Sequence, residues 1–159
     1  MKKILKSALC IALAAMLLAA VPLAGFAANT VTILRVTEDG ARLRSADKEI
    51  ITSLSAGTKV FYMDEKLGSN SKVRVSNGLE GYIYDEFLAS YGSARLDNIY
   101  YASAAKGVYR TPSTDDRRIA TISENQYVIV LRTHGGWAFV KNLDGNGGFC
   151  TLDGLVKAS

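Results

Sequence analysis

Asn70–Leu88 reads NSKVRVSNGLEGYIYDEFL, and Trp137–Leu155 reads WAFVKNLDGNGGFCTLDGL. The two stretches align without a gap, pairing Val73 with Val140, Gly78 with Gly145, Gly81 with Gly148, Tyr82 with Phe149 and Ile83 with Cys150. Asn77-Gly78 and Asp144-Gly145 are dipeptides of tight hairpins, in which both central residues take positive φ. Gly81 and Gly148 stand where a strand resumes after the turn, a place for a bulge or for close approach of two backbones. Val73, Val75 and Ile83 then occupy alternating inward positions of a small half-open barrel.

Outward from this pair, the chain beyond Val31 is a succession of short apolar runs divided by Gly, Asn, Asp and Ser, without a sustained helical period, which predicts many short strands. Strands are expected at 31–37, 41–44, 59–63, 72–76 and 80–84, and again at 107–110, 127–132, 137–141 and 147–151. The second set repeats the first in order. Arg44-Ser45 is set against Arg110-Thr111, Ile51 against Ile119, Leu54 against Ile122 and Val60 against Val128. The reading is therefore all-β, with one repeat over 31–90, a linker over 91–104 and a second repeat over 105–157. Tyr91, Tyr100 and Tyr101 mark that linker as more than a tether, because aromatic side chains can pack between modules and set their angle; its 98–102 stretch also reads as a first strand of the second repeat.

Lys2, Lys3 and Lys6 precede an uncharged apolar run from Ser7 to Leu23, Pro22 breaks it, and Gly25-Phe26-Ala27 follows as a small-residue cleavage pattern. Residues 1–27 read as an export signal cut between Ala27 and Ala28, which implies a secreted or wall-associated chain with no membrane span after cleavage. Without those three lysines the 19 basic residues become 16 against 15 acidic ones, a net charge of +1. So weak a charge gives no electrostatic case for nucleic acid, which calls for a clustered basic face. Cys10 leaves with the signal, so Cys150 alone remains and no internal disulfide is available. One His, His134, beside one Cys is too few for a structural zinc site, and no cofactor motif is present. His134 lies at a loop tip and Cys150 aligns with the inward Ile83, so Cys150 reads as a small buried hydrophobe and the chain as no enzyme.

Three groups of residues carry a family resemblance. Leu43-Arg44-Ser45 opens the first repeat, Ser53-Leu54-Ser55-Ala56-Gly57-Thr58-Lys59-Val60 follows, and Asn77-Gly78-Leu79-Glu80-Gly81-Tyr82-Ile83-Tyr84 runs on to Leu88. Val108-Tyr109-Arg110-Thr111-Pro112-Ser113, Gly135-Gly136-Trp137-Ala138-Phe139-Val140 and Gly147-Gly148-Phe149 do the same in the second. The chain thereby resembles the bacterial SH3-like (SH3b) family. That resemblance implies two tandem small SH3-like β-barrels that bind peptidoglycan or other cell-envelope material, often in company with a wall hydrolase. The two repeats depart from the family in opposite ways. Trp137 is matched by Asn70 in the first repeat, and Phe87 by Gly154 in the second.

Trp137, beside the Gly135-Gly136 loop, can offer a flat face to a sugar or peptide, or can pack into the core. With Tyr109 and Arg110 it forms the candidate site of the second repeat; Phe87, Tyr82, Tyr84 and Arg44 form that of the first. A planar Arg fork suits the carboxylate of a peptide stem or a phosphate of a wall polymer. The function expected is non-catalytic binding of peptidoglycan or an envelope polymer, with two modules raising avidity. The alternatives are an exported module that holds a protein or peptide partner, and an accessory to a wall hydrolase. No metal site is expected.

Overall fold

A computed structural model describes residues 29–158, so the expected export signal and its expected cut lie outside the described residues. The first half holds β1 (Thr30–Val36), β2 (Ala41–Arg44), β3 (Ile50–Leu54), β4 (Lys59–Leu67), β5 (Asn70–Val75), β6 (Glu80–Tyr84) and β7 (Leu88–Arg95). The second holds β8 (Ile99–Ala102), β9 (Lys106–Tyr109), β10 (Arg118–Ile122), β11 (Tyr127–His134), β12 (Trp137–Lys141), β13 (Gly147–Thr151) and β14 (Leu155–Lys157). Each set forms one seven-stranded antiparallel sheet, ordered β3-β2-β6-β5-β4-β1-β7 and β10-β9-β13-β12-β11-β8-β14. Adding seven to every strand number of the first order yields the second. The internal repeat is thus a repeat of topology as well as of sequence.

The 91–104 segment holds the end of β7, a single 3-10 turn at Leu96–Asn98, and β8. β7 lies antiparallel to β1, with Ile33 opposite Gly92 and Leu34 opposite Ser90, so Tyr91 is the extra residue of a bulge. Among the described residues, no helix is long and apolar enough to cross a membrane.

The hairpin turns differ from the sequence expectation. Gly78 and Gly145 have φ of 88° and 95°, but Asn77 and Asp144 do not share the left-handed region. Gly78 N–H donates to the Val75 carbonyl and Val75 N–H to that of Leu79 (2.9 and 2.8 Å); Gly145, Asn142 and Asn146 repeat the pattern (3.1 and 2.9 Å). Both are three-residue loops, a type I turn closed by a left-handed glycine that acts as a bulge. The two-residue turn would have required positive φ at the Asn and the Asp as well.

The strand interiors alternate as anticipated. Val73, Val75 and Ile83 are buried, as are their counterparts Val140 and Cys150. A Cβ on Gly81 would lie 2.6 Å from the Arg44 carbonyl oxygen, and one on Gly148 2.9 Å from that of Tyr109 and 2.6 Å from Val108 Cγ1. Both glycines therefore mark close backbone approach. They also correct one alignment. Arg44 lies opposite Tyr82, and Tyr109 lies opposite Phe149, so Tyr109, not Arg110, is the counterpart of Arg44.

Each sheet wraps its own core, centred on Leu43, Val60, Val73 and Ile83 in the first and on Val108, Val128, Val140 and Cys150 in the second. A third cluster joins them, where Ile33 and Phe61 pack with Ile99, Leu143 and Ala158. Tyr127 closes that junction. Its ring meets Phe61 at a centroid distance of 6.3 Å and Tyr101 at 5.6 Å, and the Arg74 guanidinium sits 4.8 Å above it. Its N–H donates to the Ser76 carbonyl at 2.7 Å, and Lys59 pairs with Asp144 at 3.1 Å. Of the three tyrosines expected between modules, Tyr101 reaches the junction through Tyr127, Tyr100 packs against the core of the second sheet, and Tyr91 lies under the Lys59 ammonium, 4.7 Å from its ring.

Candidate functional site

Alternation along β2, β5 and β6 dictates which side chains share the outer face of the first sheet. Leu43, Ser71, Val73 and Ile83 point in, so Arg42, Arg44, Asn70, Lys72, Tyr82 and Tyr84 point out. Register then brings them together, with Arg44 and Lys72 each opposite Tyr82 and Asn70 opposite Tyr84. The 3-10 turn at Asp85–Phe87 swings the chain so that the Phe87 ring meets Tyr84 edge-on at 6.1 Å.

These residues line two adjoining hollows of about 670 and 410 Å³ that share Arg44, Asn70 and Tyr84. The larger runs past Tyr82 and Lys48, the smaller past Arg42 and Phe87. All four first-repeat candidates, Arg44, Tyr82, Tyr84 and Phe87, thus border one groove. Asn70 and Lys48 border it too, and neither was expected from the sequence. The signal for Asn70 lay in the repeat, because Asn70 stands where the second repeat has the candidate Trp137.

The groove is braced by polar contacts on either side. Arg44 Nη1 donates to the Lys48 carbonyl at 2.9 Å across a turn in which Lys48 has φ of 69°, leaving other guanidinium N–H groups free for a ligand. Tyr82 donates its phenol hydrogen to Glu65, which also pairs with Lys72 at 2.7 Å. The Lys72 hydrogen bond, followed by that from Tyr82, holds the Glu65 carboxyl below its usual value, and the same contact raises the Tyr82 phenol. Asp85 receives hydrogen bonds from Lys66 at 2.7 Å and the buried Ser71 hydroxyl at 2.6 Å, which lower its carboxyl in that order. This anchors the turn carrying Phe87.

The equivalent place in the second sheet is built differently. Tyr109 replaces Arg44, Trp137 replaces Asn70 and Gly107 replaces Arg42. The Tyr109 ring folds back over Gly107, where a Cβ would meet its hydroxyl at 2.8 Å, and meets Trp137 edge-on at 6.0 Å. Two half-buried rings stand where the first sheet has its groove. Arg110 is exposed just beyond β9, its N–H donating to the Arg117 carbonyl at 3.3 Å. The Glu65, Lys72 and Tyr82 cluster is also replaced: Phe139 and Phe149 pack at 5.0 Å, with Arg132 over their faces at 5.2 and 5.7 Å.

Cys150 is fully buried, and burial pushes its thiol up to about 11. His134 ends β11 as an exposed residue opposite Trp137, and Cys150 lies opposite Ala138. Among the described residues, no three His, Cys, Asp or Glu side chains gather to hold a metal ion.

No protein-family model matches the chain, and no curated protein matches it. Among solved structures it is similar to NlpC2 from Trichomonas vaginalis, at 16% identity and a TM-score of 0.35 over 80% of this chain and 48% of that one. It is also similar to NlpC1 from the same organism, at 16% identity and a TM-score of 0.34 over 83% of this chain and 48% of that one. The chain spans about half the length of each.

Proposed function

We propose that this chain is a secreted, non-catalytic binding protein made of two bacterial SH3-like modules, and that it holds peptidoglycan or a polymer attached to it. The observation that carries the reading is the groove of the first sheet. A guanidinium with free donors at Arg44 lies beside the faces of Tyr82, Tyr84 and Phe87, a pairing that suits a ligand with anionic groups on a sugar or peptide frame. Tyr84 is 42% exposed, so much of its ring is open to contact from the groove. In the second sheet Tyr109 and Trp137 pack against each other, so that module offers an aromatic platform and the first module offers the groove.

The non-catalytic part of the reading is supported by the separation of Cys150, buried with a raised thiol, from the exposed His134. A nucleophile needs a lowered thiol and a base within hydrogen-bond reach.

The test is sedimentation with purified cell-wall sacculi. The mature protein is expected in the pellet at low salt, Arg44→Ala and Tyr84→Ala are expected to shift most of it to the supernatant, and Arg110→Ala is expected to change little. A wild-type protein that stays in the supernatant would overturn the reading.

A further inference from the structure

The inner side of the second sheet holds a slot of about 420 Å³ at one end of its core, within the range of roughly 300–1,000 Å³ typical of small-ligand sites. Val108, Ile122, Val128 and Val140 form its walls, and all four are core side chains, so the slot reaches the interior. Ile119, 47% exposed, stands at its lip. Val108 and Tyr109 are adjacent in β9 and point to opposite faces, so this slot and the Tyr109–Trp137 pair lie on opposite sides of the sheet.

The repeat shows how the slot arises. The first sheet has Leu43, Val75 and Leu79 where the second has Val108, Asn142 and Asn146. Leu43 and Val75 are buried core residues of the first sheet. The second sheet has exchanged one for a shorter side chain and the other for a carboxamide, at the expense of apolar burial in a small module. Asn142 has a local role, since its Oδ1 accepts from Asn146 N–H at 2.9 Å and ties the hairpin loop. That role explains neither Val108 nor Asn146, whose own side chain is exposed.

The rim chemistry specifies a ligand class. Asn142 and Gln126 both border the slot; Asn142 Oδ1 is engaged by Asn146, and Gln126 Oε1 accepts from Ser123 N–H at 2.8 Å. Each carboxamide keeps its NH₂ group as an unused donor, beside the second lone pair of its oxygen. None of the residues that line the slot is ionisable. The fitting ligand is neutral, with an aliphatic group for the walls and carbonyl oxygens for the rim. We propose that the slot binds a neutral peptide segment, seating one aliphatic side chain against Val108, Ile122 and Val128 while the flanking carbonyls accept from Asn142 and Gln126. The site is independent of the groove of the first sheet.

The test titrates N-acetyl-leucinamide, one aliphatic side chain between two carbonyls, into the ¹⁵N-labelled mature protein and follows backbone amides. Saturable shifts are expected at Ala120, Thr121, Gly147 and Gly148 at millimolar probe, and none at Arg44, Tyr82 or Tyr84. Hexanol, aliphatic without carbonyls, is expected to bind at least about tenfold more weakly. Val108→Leu and Asn146→Leu each restore the side chain of the first sheet and are each expected to weaken the probe about tenfold or more. Should Val108→Leu fail to fold, the exposed rim variant Asn146→Leu decides alone. Absence of shifts at those four amides, equal binding of hexanol, or undiminished binding by folded Asn146→Leu would each overturn the proposal.

Discussion

Arg44 shows how much one side chain decides. One of its donors ties the β2–β3 turn through the Lys48 carbonyl, and the rest face a groove bounded by Tyr82 and Tyr84. Replacing it with alanine removes a charge-assisted contact of about 1.5–3 kcal/mol, so affinity for sacculi is expected to fall roughly tenfold or more. Arg44→Lys should recover only part of this, because an ammonium lacks the planar fork. Equilibrium sedimentation of both variants at fixed salt checks the order. Cys150 gives a second prediction at this scale. Its thiol ionises near 9.0 when exposed but at about 11 in the fold, so unfolding releases a proton between those values. Stability is therefore full below about pH 9 and declines as pH rises toward 11. Cys150→Ala should cost ~1 kcal/mol or somewhat more at pH 7 through lost packing, and that cost should shrink above pH 9. Urea melts of both proteins at pH 7 and pH 10 measure the difference.

Among the elements, β6 and β13 are the most constrained, because each carries at its second position a glycine, Gly81 or Gly148, pressed against the strand beside it. The Cβ of an alanine at Gly81 would sit 2.6 Å from the Arg44 carbonyl oxygen, and backbone cannot give way as a flexible side chain can. Gly81→Ala is expected to destabilise the first module by about 1–3 kcal/mol or more, the usual range for overpacking, and to weaken binding by moving Arg44 away from Tyr82. Gly92, with open space around it, is the control: Gly92→Ala should leave the melting temperature nearly unchanged. Thermal melts of the two variants test the contrast. The bulge at Tyr91 belongs to the same scale, since it bends the long edge strand β7 and discourages pairing with another edge.

For the whole molecule, the junction around Tyr127 makes the two sheets one unit. Phe61 from the first sheet is buried against Ile99 and Tyr127 of the second, and Lys59 reaches Asp144 across the same boundary. Trp137 is the single tryptophan and lies in the second sheet, so its fluorescence reports that sheet alone, whereas far-UV circular dichroism reports both. In the wild-type protein the two denaturation curves are expected to coincide. Phe61→Ala should cost about 3–5 kcal/mol, as for other buried phenylalanines, and separate the curves. Lys59→Ala should matter much less, because Asp144 is largely exposed and solvent screens such a pair.

Strand parity and the internal repeat make the inward set legible in the amino-acid order itself, and Val73, Val75, Ile83 and Cys150 are buried where the alternation places them. Four strands, at 41–44, 80–84, 137–141 and 147–151, have the boundaries expected from the sequence, because apolar alternation and turn residues agree there. The strands without such a signal, β3, β7, β10 and β14, are short, exposed or rich in small residues, so no period separates them from loops. Parity says which residues share a face but not which strands are neighbours. Only tertiary pairing set Tyr109, and not Arg110, in the place of Arg44, and only it placed Arg44, Asn70 and Tyr84 around one groove. The junction at Tyr127 was equally hidden, since burial between two modules depends on how each finished sheet meets the other. The sequence alone determined an all-β repeat and its inward positions, because alternation is a local property of extended chain; register, grooves and the docking of the sheets are properties of residues far apart in sequence, and only the folded structure decides them.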